Sequence, residues 1–254
     1  MRNLLQDHIY ISTRPLNQNA MLEELLTSEG AKLLKMPTIE IHSVIWDTHK
    51  IEILEQRDKY NWIVFTSVNG VQYFFEKLIS LKLDVELPSH IKIAAIGEQT
   101  ALKLYEYGSQ ATFVNPSNSS EELAKILIEK IQPSDKVLLV LGNLARNTMA
   151  DILSQKVKCT RLDVYQTILP THIDEKHIKT IIDDEYDLII LTSPSSFINL
   201  LSVLEGKIDI SKLKLASIGK TTTAEIEKHH LKPIITASMS NAEGIFKAIL
   251  EAGY

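Results

Sequence analysis

Residues 60–78, YNWIVFTSVNGVQYFFEKL, and residues 186–204, YDLIILTSPSSFINLLSVL, match each other at a constant offset of 126. In each copy, a short run of apolar and aromatic residues leads into a Thr-Ser pair. Such a run predicts a buried strand. Apolar residues then recur at the spacing i, i+3, i+4, i+7, which marks one face of a helix. Each copy therefore predicts a strand, a hydroxyl-bearing turn and an amphipathic helix.

Two further pairs extend this internal repeat. IKIAAIGEQT from Ile91 matches LKLASIGKTT from Leu213 at an offset of 122, and each copy predicts a strand that ends in a glycine turn before a helix. A weaker match sets the first 35 residues against residues 135–163. Because strands and helices alternate, we expect parallel sheets with right-handed crossovers. The sequence thus predicts two flavodoxin-like or Rossmann-like α/β domains related by duplication.

The repeated turns carry the candidate binding residues. In folds of this kind, ligands bind at the carboxyl ends of the strands, beside helix N-termini whose free N–H groups favour anions. The same hydroxyls are also good helix caps, so a capping-only role remains an alternative for each of them. The candidates are Ser67, Thr100, Ser193, Ser195, Ser196, Thr221 and Thr222.

Composition excludes several classes of protein. The 254 residues carry a net charge of −5 without a stripe of Lys and Arg, which disfavours nucleic-acid binding. Apolar runs stay well short of the ~20 residues that a membrane span requires, and no signal peptide is recognisable at the N-terminus. Cys159 is the single cysteine, which fits a reducing cytosol. We therefore expect a cytoplasmic protein that does not contact membranes.

Motifs for cofactors are also missing from the sequence. Gly97 and Gly219 stand alone, without the G-x-G-x-x-G fingerprint of dinucleotide sites. Gly219-Lys220-Thr221 resembles the end of a phosphate-binding loop, but Lys214 stands where that loop needs its first glycine. The eight histidines are scattered and do not show the spacing of metal ligands. The sequence therefore predicts neither a metal nor an organic cofactor.

Two extended stretches lie at the same phase of the repeats, MPTIEI at 36–41 and VYQTIL at 164–169. If they simply join neighbouring units, two contiguous domains result, about 1–131 and 132–254. If they are paired crossings between domains, residues 42–165 form one domain inserted into a second made of 1–36 and 170–254. Linkers would then lie at about 37–41 and 164–169. The residue pattern alone does not choose between these arrangements.

Seven short motifs together resemble the uroporphyrinogen-III synthase family, in its order and spacing across nearly the whole chain. At residues 218–223, the family's usual IGPTTA is IGKTTT, with Lys220 in place of proline and Thr223 in place of alanine. Gly70 stands where the family usually has alanine. The motifs are TRP at 13–15, FTSVNGV at 65–71, IGEQTA at 96–101, LGN at 141–143, VYQT at 164–167, TSPSS at 192–196 and IGKTTT at 218–223.

The resemblance implies a fold and a reaction. It implies two α/β domains joined by a two-stranded linker, with the first domain built from both chain ends, and so favours the inserted arrangement. The implied substrate is hydroxymethylbilane, a linear tetrapyrrole held between the domains. The implied reaction closes it into a ring through a spiro intermediate that inverts the last pyrrole, with release of water. No cofactor is implied. We expect a monomer that receives its substrate by transient hand-over from hydroxymethylbilane synthase.

The resemblance also points to individual site residues. Tyr165 matches the tyrosine of the family's VYQT motif and is the candidate proton donor to the departing hydroxyl, because a tyrosine is protonated at neutral pH. A linker aromatic that only packs the domain junction is the alternative. Arg14 and Lys220 are candidates for charge-assisted contacts with the substrate's carboxylates. For each of them, a surface charge without a role in binding remains an alternative.

A different class of protein shares this architecture. Twin α/β domains with a cleft also occur in ligand-binding proteins and in some glycosyltransferases. A periplasmic-type binder would need an export signal, and a nucleotide-sugar enzyme usually carries an acidic metal-binding pair at a strand end. Neither feature is visible in the sequence. The alternative function is therefore a two-domain cleft protein that binds another anionic small molecule.

Overall fold

The computed structural model describes residues 4–117 and 119–254, so Asn118 and the first three residues of the predicted 1–36 segment lie outside the described residues. The chain divides into two compact units. One consists of the N-terminal segment up to Glu40 together with Ile168–Tyr254, and the other is Ile41–Thr167. The predicted domains, 1–36 with 170–254 and 42–165, differ from these units by a few residues at each boundary.

The described residues alternate between strands and helices along most of the chain. The strands are β1 (Ile9–Ser12), β2 (Lys32–Lys35), β3 (Glu40–Ser43), β4 (Trp62–Phe65), β5 (Lys92–Ile96), β6 (Phe113–Asn115), β7 (Lys136–Gly142), β8 (Lys158–Ile168), β9 (Leu188–Leu191), β10 (Leu215–Ser217) and β11 (Ile235–Thr236). The helices are α1 (Ala20–Ser28), α2 (Thr48–Glu55), α3 (Val68–Ser80), α4 (Glu98–Glu106), α5 (Ser120–Lys130), α6 (Thr148–Leu153), α7 (Glu175–Ile182), α8 (Pro194–Leu204), α9 (Lys220–Lys228) and α10 (Ala242–Ala252).

Each unit contains one sheet. The two sheets share a strand order, apart from the additional edge strand β3 in the second. The first unit's sheet runs β2-β1-β9-β10-β11, and the second unit's runs β3-β8-β7-β4-β5-β6. The pairings of β1 with β2 and β9, of β10 with β9 and β11, and the matching pairings among β4 to β8 are parallel. The three sequence repeats thus correspond to three strand pairs, β4 with β9, β5 with β10 and β7 with β1. The predicted α/β fold with parallel sheets is confirmed.

Both faces of each sheet are buried, as the continuous apolar runs predict. In β4, Ile63 and Phe65 belong to one core cluster, whereas Trp62 and Val64 belong to another on the opposite face. The first unit likewise has one core cluster on each face of its sheet. Because helices cover both faces, ligands can reach the strands only at the ends of the sheet.

The stretch predicted as the second linker has a different structure. Residues 164–168 are the C-terminal part of β8, which begins at Lys158 and runs for 11 residues. Residues 36–39 lie outside any strand or helix, and β3 continues to Ser43, beyond the predicted end at residue 41. β3, which contains Glu40 and Ile41 of the first stretch, is the neighbour of β8 in the sheet.

Within residues 4–117 and 119–254, none of the helices combines the length and the apolar character that crossing a membrane would require.

We expect the inserted unit to fold on its own. A fragment spanning 41–167 keeps both of its core clusters complete, so it should melt cooperatively. A fragment spanning 1–131 should not, because it lacks β7, the strand that pairs with β4. Thermal melting followed by circular dichroism would compare the two fragments. A cooperative melt from 1–131 beside an unfolded 41–167 would show that the domains are contiguous.

Candidate functional site

Most of the predicted site residues follow the carboxyl ends of neighbouring parallel strands. In the first unit, Arg14, Ser193 and Lys220 follow β1, β9 and β10, which are adjacent in the sheet. In the second unit, Ser67 and Thr100 follow the adjacent strands β4 and β5. Within each unit, the candidates are therefore gathered at one edge of the sheet, where α/β folds bind ligands.

An open cleft lies at this edge of the second unit. It has a volume of about 550 Å³ and is bordered by the start of α3, the end of β5 and the start of α4. Ser67 and Thr100 both line it, together with Thr66 and Gln99, which lie in the repeated turns but were not among the candidate binding residues. Gly97 begins the second wall with a φ of 77°, a conformation that favours glycine. The cleft thus offers hydroxyls, an amide and the N-terminal ends of two helices, beside the carboxylate of Glu98.

Tyr165 lies within hydrogen-bonding distance of Ser67. Its phenol oxygen is 3.2 Å from Ser67 Oγ, and either atom could donate the proton. Ser67 also caps α3, because its Oγ accepts a hydrogen bond of 3.0 Å from the backbone N–H of Gly70. The hydroxyl that caps this helix therefore also holds the candidate proton donor. Ser67 thus caps the helix and contacts Tyr165 through the same oxygen.

A β-bulge aims the Tyr165 side chain at Ser67. Leu141 of β7 pairs with Asp163, but Gly142 pairs with Tyr165, so Val164 is an extra residue without a register partner on β7. Bulges of this kind redirect the side chains that follow them. Gly142 also leaves room for the ring, since a Cβ on this residue would lie within 2.5 Å of Tyr165 Cε2 and 2.8 Å of its hydroxyl oxygen.

Tyr73 is a neighbour of Tyr165 that the sequence did not reveal. The two rings stack with centroids 6.0 Å apart and planes inclined by 23°. The Tyr73 hydroxyl donates to the backbone carbonyl of Ile41 at 2.8 Å, which fixes its ring. Burial, with a smaller contribution from the charge of Glu76, raises the pKa of Tyr73 above its usual value. Tyr73 lies in the predicted helix but outside its buried apolar face, and nothing in the sequence indicated its partner on β8.

The serines after β9 form a tight cap in the first unit. Ser193 Oγ accepts from the N–H of Ser196, and Ser196 Oγ lies 3.2 Å from the N–H of Ser193, which completes a capping box. Ser193 Oγ is also 3.0 Å from Ser195 Oγ. Ser196 is fully buried, so its hydroxyl serves the helix, whereas Ser193 and Ser195 remain partly exposed.

The threonines of the glycine turns do not have the capping role that was the alternative for them. Gly97 and Gly219 are the N-caps of α4 and α9, and neither helix has a side-chain cap, so Thr100 and Thr222 are not capping residues. Both threonines are buried, at 4% and 2% exposure. Each is the third residue of its helix, where the side chain packs against the sheet. Thr100 still borders the cleft of its unit.

Lys220 and Thr221 are the first two residues of α9 and are exposed. Their exposure leaves both side chains free to meet a ligand at this helix N-terminus. Behind them, Ser217, Thr223 and Thr236 form a closed set of hydroxyl contacts of 2.6 to 3.2 Å. This set holds the end of β10 against β11, and the hydroxyls are satisfied by one another.

Arg14 has an incompletely satisfied guanidinium. Its Nε and Nη1 atoms are buried, and neither has a hydrogen-bond partner among the described residues. Burial lowers the pKa of Arg14 below its usual value. A desolvated cation without partners is costly unless an anion completes it. Among the candidate cations of the first unit, Arg14 thus has the stronger physical case for binding a carboxylate.

Across residues 4–117 and 119–254, His, Cys, Asp and Glu side chains do not gather into any group of three or more that could hold a metal ion. Cys159 is half-buried, and burial raises the pKa of its thiol.

Comparison with known proteins gives consistent results. The family model described as uroporphyrinogen-III synthase HemD matches residues 20–247. The porphyrin biosynthesis protein HemD of Ruminiclostridium josui is 29% identical over 242 residues, which are 95% of this chain and 48% of that protein. The uroporphyrinogen-III synthase of Chlorobaculum parvum is 29% identical over 254 aligned positions, covering 94% of this chain and 97% of the relative. The chain thus spans about half of the first relative and nearly all of the second.

Solved structures share the fold. A mutant uroporphyrinogen III synthase from Thermus thermophilus superposes with a TM-score of 0.69 at 16% identity, covering 96% of this chain and 98% of that one. The uroporphyrinogen-III synthetase of Helicobacter pylori superposes with a TM-score of 0.59 at 18% identity, covering 97% and 99%. At these identities, the superpositions show the fold alone.

We expect replacement of Arg14 to leave the fold as stable as before or more so. Arg14→Met removes two buried, unpartnered nitrogens but keeps an apolar stem, so the free energy of unfolding should stay constant or rise by up to about 1 kcal/mol. Urea denaturation followed by circular dichroism measures this quantity.

Arg161→Met is the matched control, because the Arg161 guanidinium bonds to Asp163, Ala145, Asn147 and Gly142. Its removal should lower the free energy of unfolding by about 1–3 kcal/mol. An equal loss in both variants would mean that Arg14 serves the fold.

Proposed function

This chain belongs to the uroporphyrinogen-III synthase family, cyclising lyases of porphyrin biosynthesis, and on that premise we propose which of its residues act in the reaction. The substrate is hydroxymethylbilane, and the product is uroporphyrinogen III, formed with inversion of the last pyrrole and release of water. One observation supports the assignment of roles most directly. A phenol that a bulge aims at a helix cap stands at the sheet edge of its own unit, where the motifs at 65–71, 96–101, 141–143 and 164–167 lie.

Tyr165 is the proposed proton donor. Ring closure begins when the hydroxymethyl group loses its hydroxyl, and hydroxide is a poor leaving group unless a proton reaches it. The electron-rich pyrrole supplies the electron pair that expels the oxygen, so no nucleophilic side chain is required. A proton is returned when the last pyrrole's free α-carbon loses its hydrogen on re-closure. Tyr165 therefore ends the cycle protonated, as it began.

Ser67 prepares Tyr165 for this role. Because Ser67 Oγ already accepts from the Gly70 N–H, its own proton is free to point at the Tyr165 oxygen, 3.2 Å away. The phenol proton of Tyr165 is then free to point at the substrate. After that proton leaves, the same Ser67 hydroxyl and the start of α3 stabilise the phenolate. We therefore assign to Ser67 the orientation and stabilisation of the donor.

Arg14 is the proposed anchor for a substrate carboxylate. The substrate carries acetate and propionate groups on all four pyrroles, whereas the protein has a net charge of −5, so binding must depend on local fields. A carboxylate would satisfy the two buried nitrogens that lack partners, and the pair would form a charge-assisted contact. Such a contact would offset the cost of burying part of this cation after β1.

Helix N-termini supply the remaining contacts. Ser193 and Ser195 offer partly exposed hydroxyls at the start of α8, and exposed Lys220 and Thr221 stand at the start of α9. We assign direct carboxylate contacts to these four residues. The buried residues of the same turns, Ser196, Thr100 and Thr222, were also predicted to bind substrate. For them we propose a smaller part, which is to shape the turns that carry the exposed donors.

Location, oligomeric state and substrate transfer stay predictions. We propose that the protein acts in the cytoplasm as a monomer and receives hydroxymethylbilane by transient hand-over from hydroxymethylbilane synthase. The single half-buried cysteine is compatible with a reducing compartment. Size-exclusion chromatography with light scattering tests the monomer.

Purified protein should convert hydroxymethylbilane into uroporphyrinogen III after treatment with a chelator, because none of the proposed steps uses a metal. Oxidation of the products and chromatographic separation of the type I and type III isomers measure the outcome. Spontaneous closure gives the type I isomer, so this product alone would contradict the proposed reaction.

The same assay applied to Tyr165→Phe tests the proton donor. The variant keeps the ring stacked on Tyr73 and leaves the Ser67 cap in place, so its melting temperature should stay nearly constant. A general-acid contribution is typically ~10²–10⁴-fold, and we expect kcat to fall by the lower end of that range or less, because ring closure is intrinsically facile. Unaltered turnover would reduce Tyr165 to a packing residue.

A further inference from the structure

Arg161 on β8 binds the loop that follows β7. Its Nη1 donates to the carbonyl of Ala145 at 2.9 Å and to Asn147 Oδ1 at 2.7 Å, and its Nη2 donates to the carbonyl of Gly142 at 3.2 Å. Its Nε is held by Asp163 Oδ1 at 2.9 Å. One half-buried guanidinium thus ties together both ends of the loop 142–147.

The same loop is attached to the chain on both sides of Tyr165. The N–H of Asn143 donates to the carbonyl of Tyr165 at 3.1 Å. The side-chain oxygen of Asn143 accepts from the N–H of Thr167 at 2.8 Å. Gly142 leaves the space that the Tyr165 ring occupies. Through these contacts, the position of the loop 142–147 determines where the Tyr165 ring can lie.

The bulge determines which side of β8 the Tyr165 side chain occupies. Side chains alternate along a strand, and Leu162 and Val164 face the core cluster that contains Phe65, while Arg161 and Asp163 bond to each other on the opposite side. Regular alternation would place Tyr165 on the side of Arg161. Instead, Tyr165 packs against the same cluster as Val164, because the extra residue in β8 turns it over.

We propose that Arg161 is a positioning residue, held by Asp163, that fixes the loop 142–147 and thereby keeps the bulge that aims Tyr165 at Ser67. This role rests on the proposed function of Tyr165. Only arginine has the planar fork of donors that can reach Gly142, Ala145 and Asn147 together, so lysine is a poor substitute. Misalignment of the Tyr165 donor should lower kcat without weakening substrate binding, because Arg161 itself does not contact the substrate in this proposal.

A double-mutant cycle separates positioning from general stability. We expect Arg161→Lys to lower kcat by no more than Tyr165→Phe does, with KM nearly constant, when assayed well below the melting temperature of each variant. Asp163→Asn should have the same effect to a smaller degree. In the Tyr165→Phe background, Arg161→Lys should cause no further fall in kcat, because the group that it positions is already missing.

Lys156→Met is the matched control. The Lys156 ammonium donates to the carbonyl of Ile128 at 2.7 Å in the same unit, so this variant loses a cation and a backbone contact away from Tyr165. It should leave kcat unchanged in both backgrounds.

Several outcomes would overturn the proposal. Equal falls in kcat from Arg161→Lys in the wild-type and Tyr165→Phe backgrounds would show that Arg161 acts independently of Tyr165. Wild-type kcat in both Arg161→Lys and Asp163→Asn would show that Arg161 is not needed to hold the loop 142–147 in place. If Tyr165→Phe itself keeps full activity, the assignment of Tyr165 as proton donor is wrong, whereas the contacts of Arg161 with the loop 142–147 are not contradicted. Faster amide hydrogen exchange at Asn143 and Thr167 in Arg161→Lys would support the clamp whatever the role of Tyr165, and unchanged exchange there would contradict it.

Discussion

Burial of both faces of each parallel sheet is the constraint on which the rest of the structure depends. Right-handed crossovers place helices on either face, so every parallel strand of a sheet ends at the same edge. Any group that must meet a ligand is then confined to that edge. Ser67 and Thr100 stand there in one unit, and Arg14 and Ser193 in the other. The duplicated sequence produces the same edge twice, with different side chains on it.

The sequence predicted the fold well because a strand buried on both faces has a simple signature. β9 is four consecutive apolar residues, Leu188–Leu191, all buried, and β4 is similar. The serine caps Ser67 and Ser193 were also predictable, since a hydroxyl directly before a helix has few other roles. The threonines were harder to predict. Gly97 already occupies the cap position, so Thr100 is a buried third residue of its helix and not its cap.

The arrangement around Tyr165 could not be predicted from the sequence, for a physical reason. A bulge is a mismatch in register between two strands. The sequences of β7 and β8 give no local sign that Val164 has no register partner on β7. The stacking of Tyr73 on Tyr165 and the space above Gly142 both follow from that mismatch. Motif resemblance found Tyr165 and the LGN segment separately. Only the structure connects them, through a register shift that aims one ring at one helix cap.

The variant Gly142→Ala tests most directly the central claim, that the placement of the Tyr165 ring is what the site provides. The added methyl would lie within 2.5 Å of Tyr165 Cε2, so the ring must move, while the backbone of residue 142 needs no left-handed conformation. Product isomers and kcat should be measured together with a structure of the variant. We expect a folded protein with a displaced ring, a kcat near that of Tyr165→Phe and a larger share of the type I isomer. Wild-type kcat and isomer ratio in a variant whose ring has moved would contradict the account.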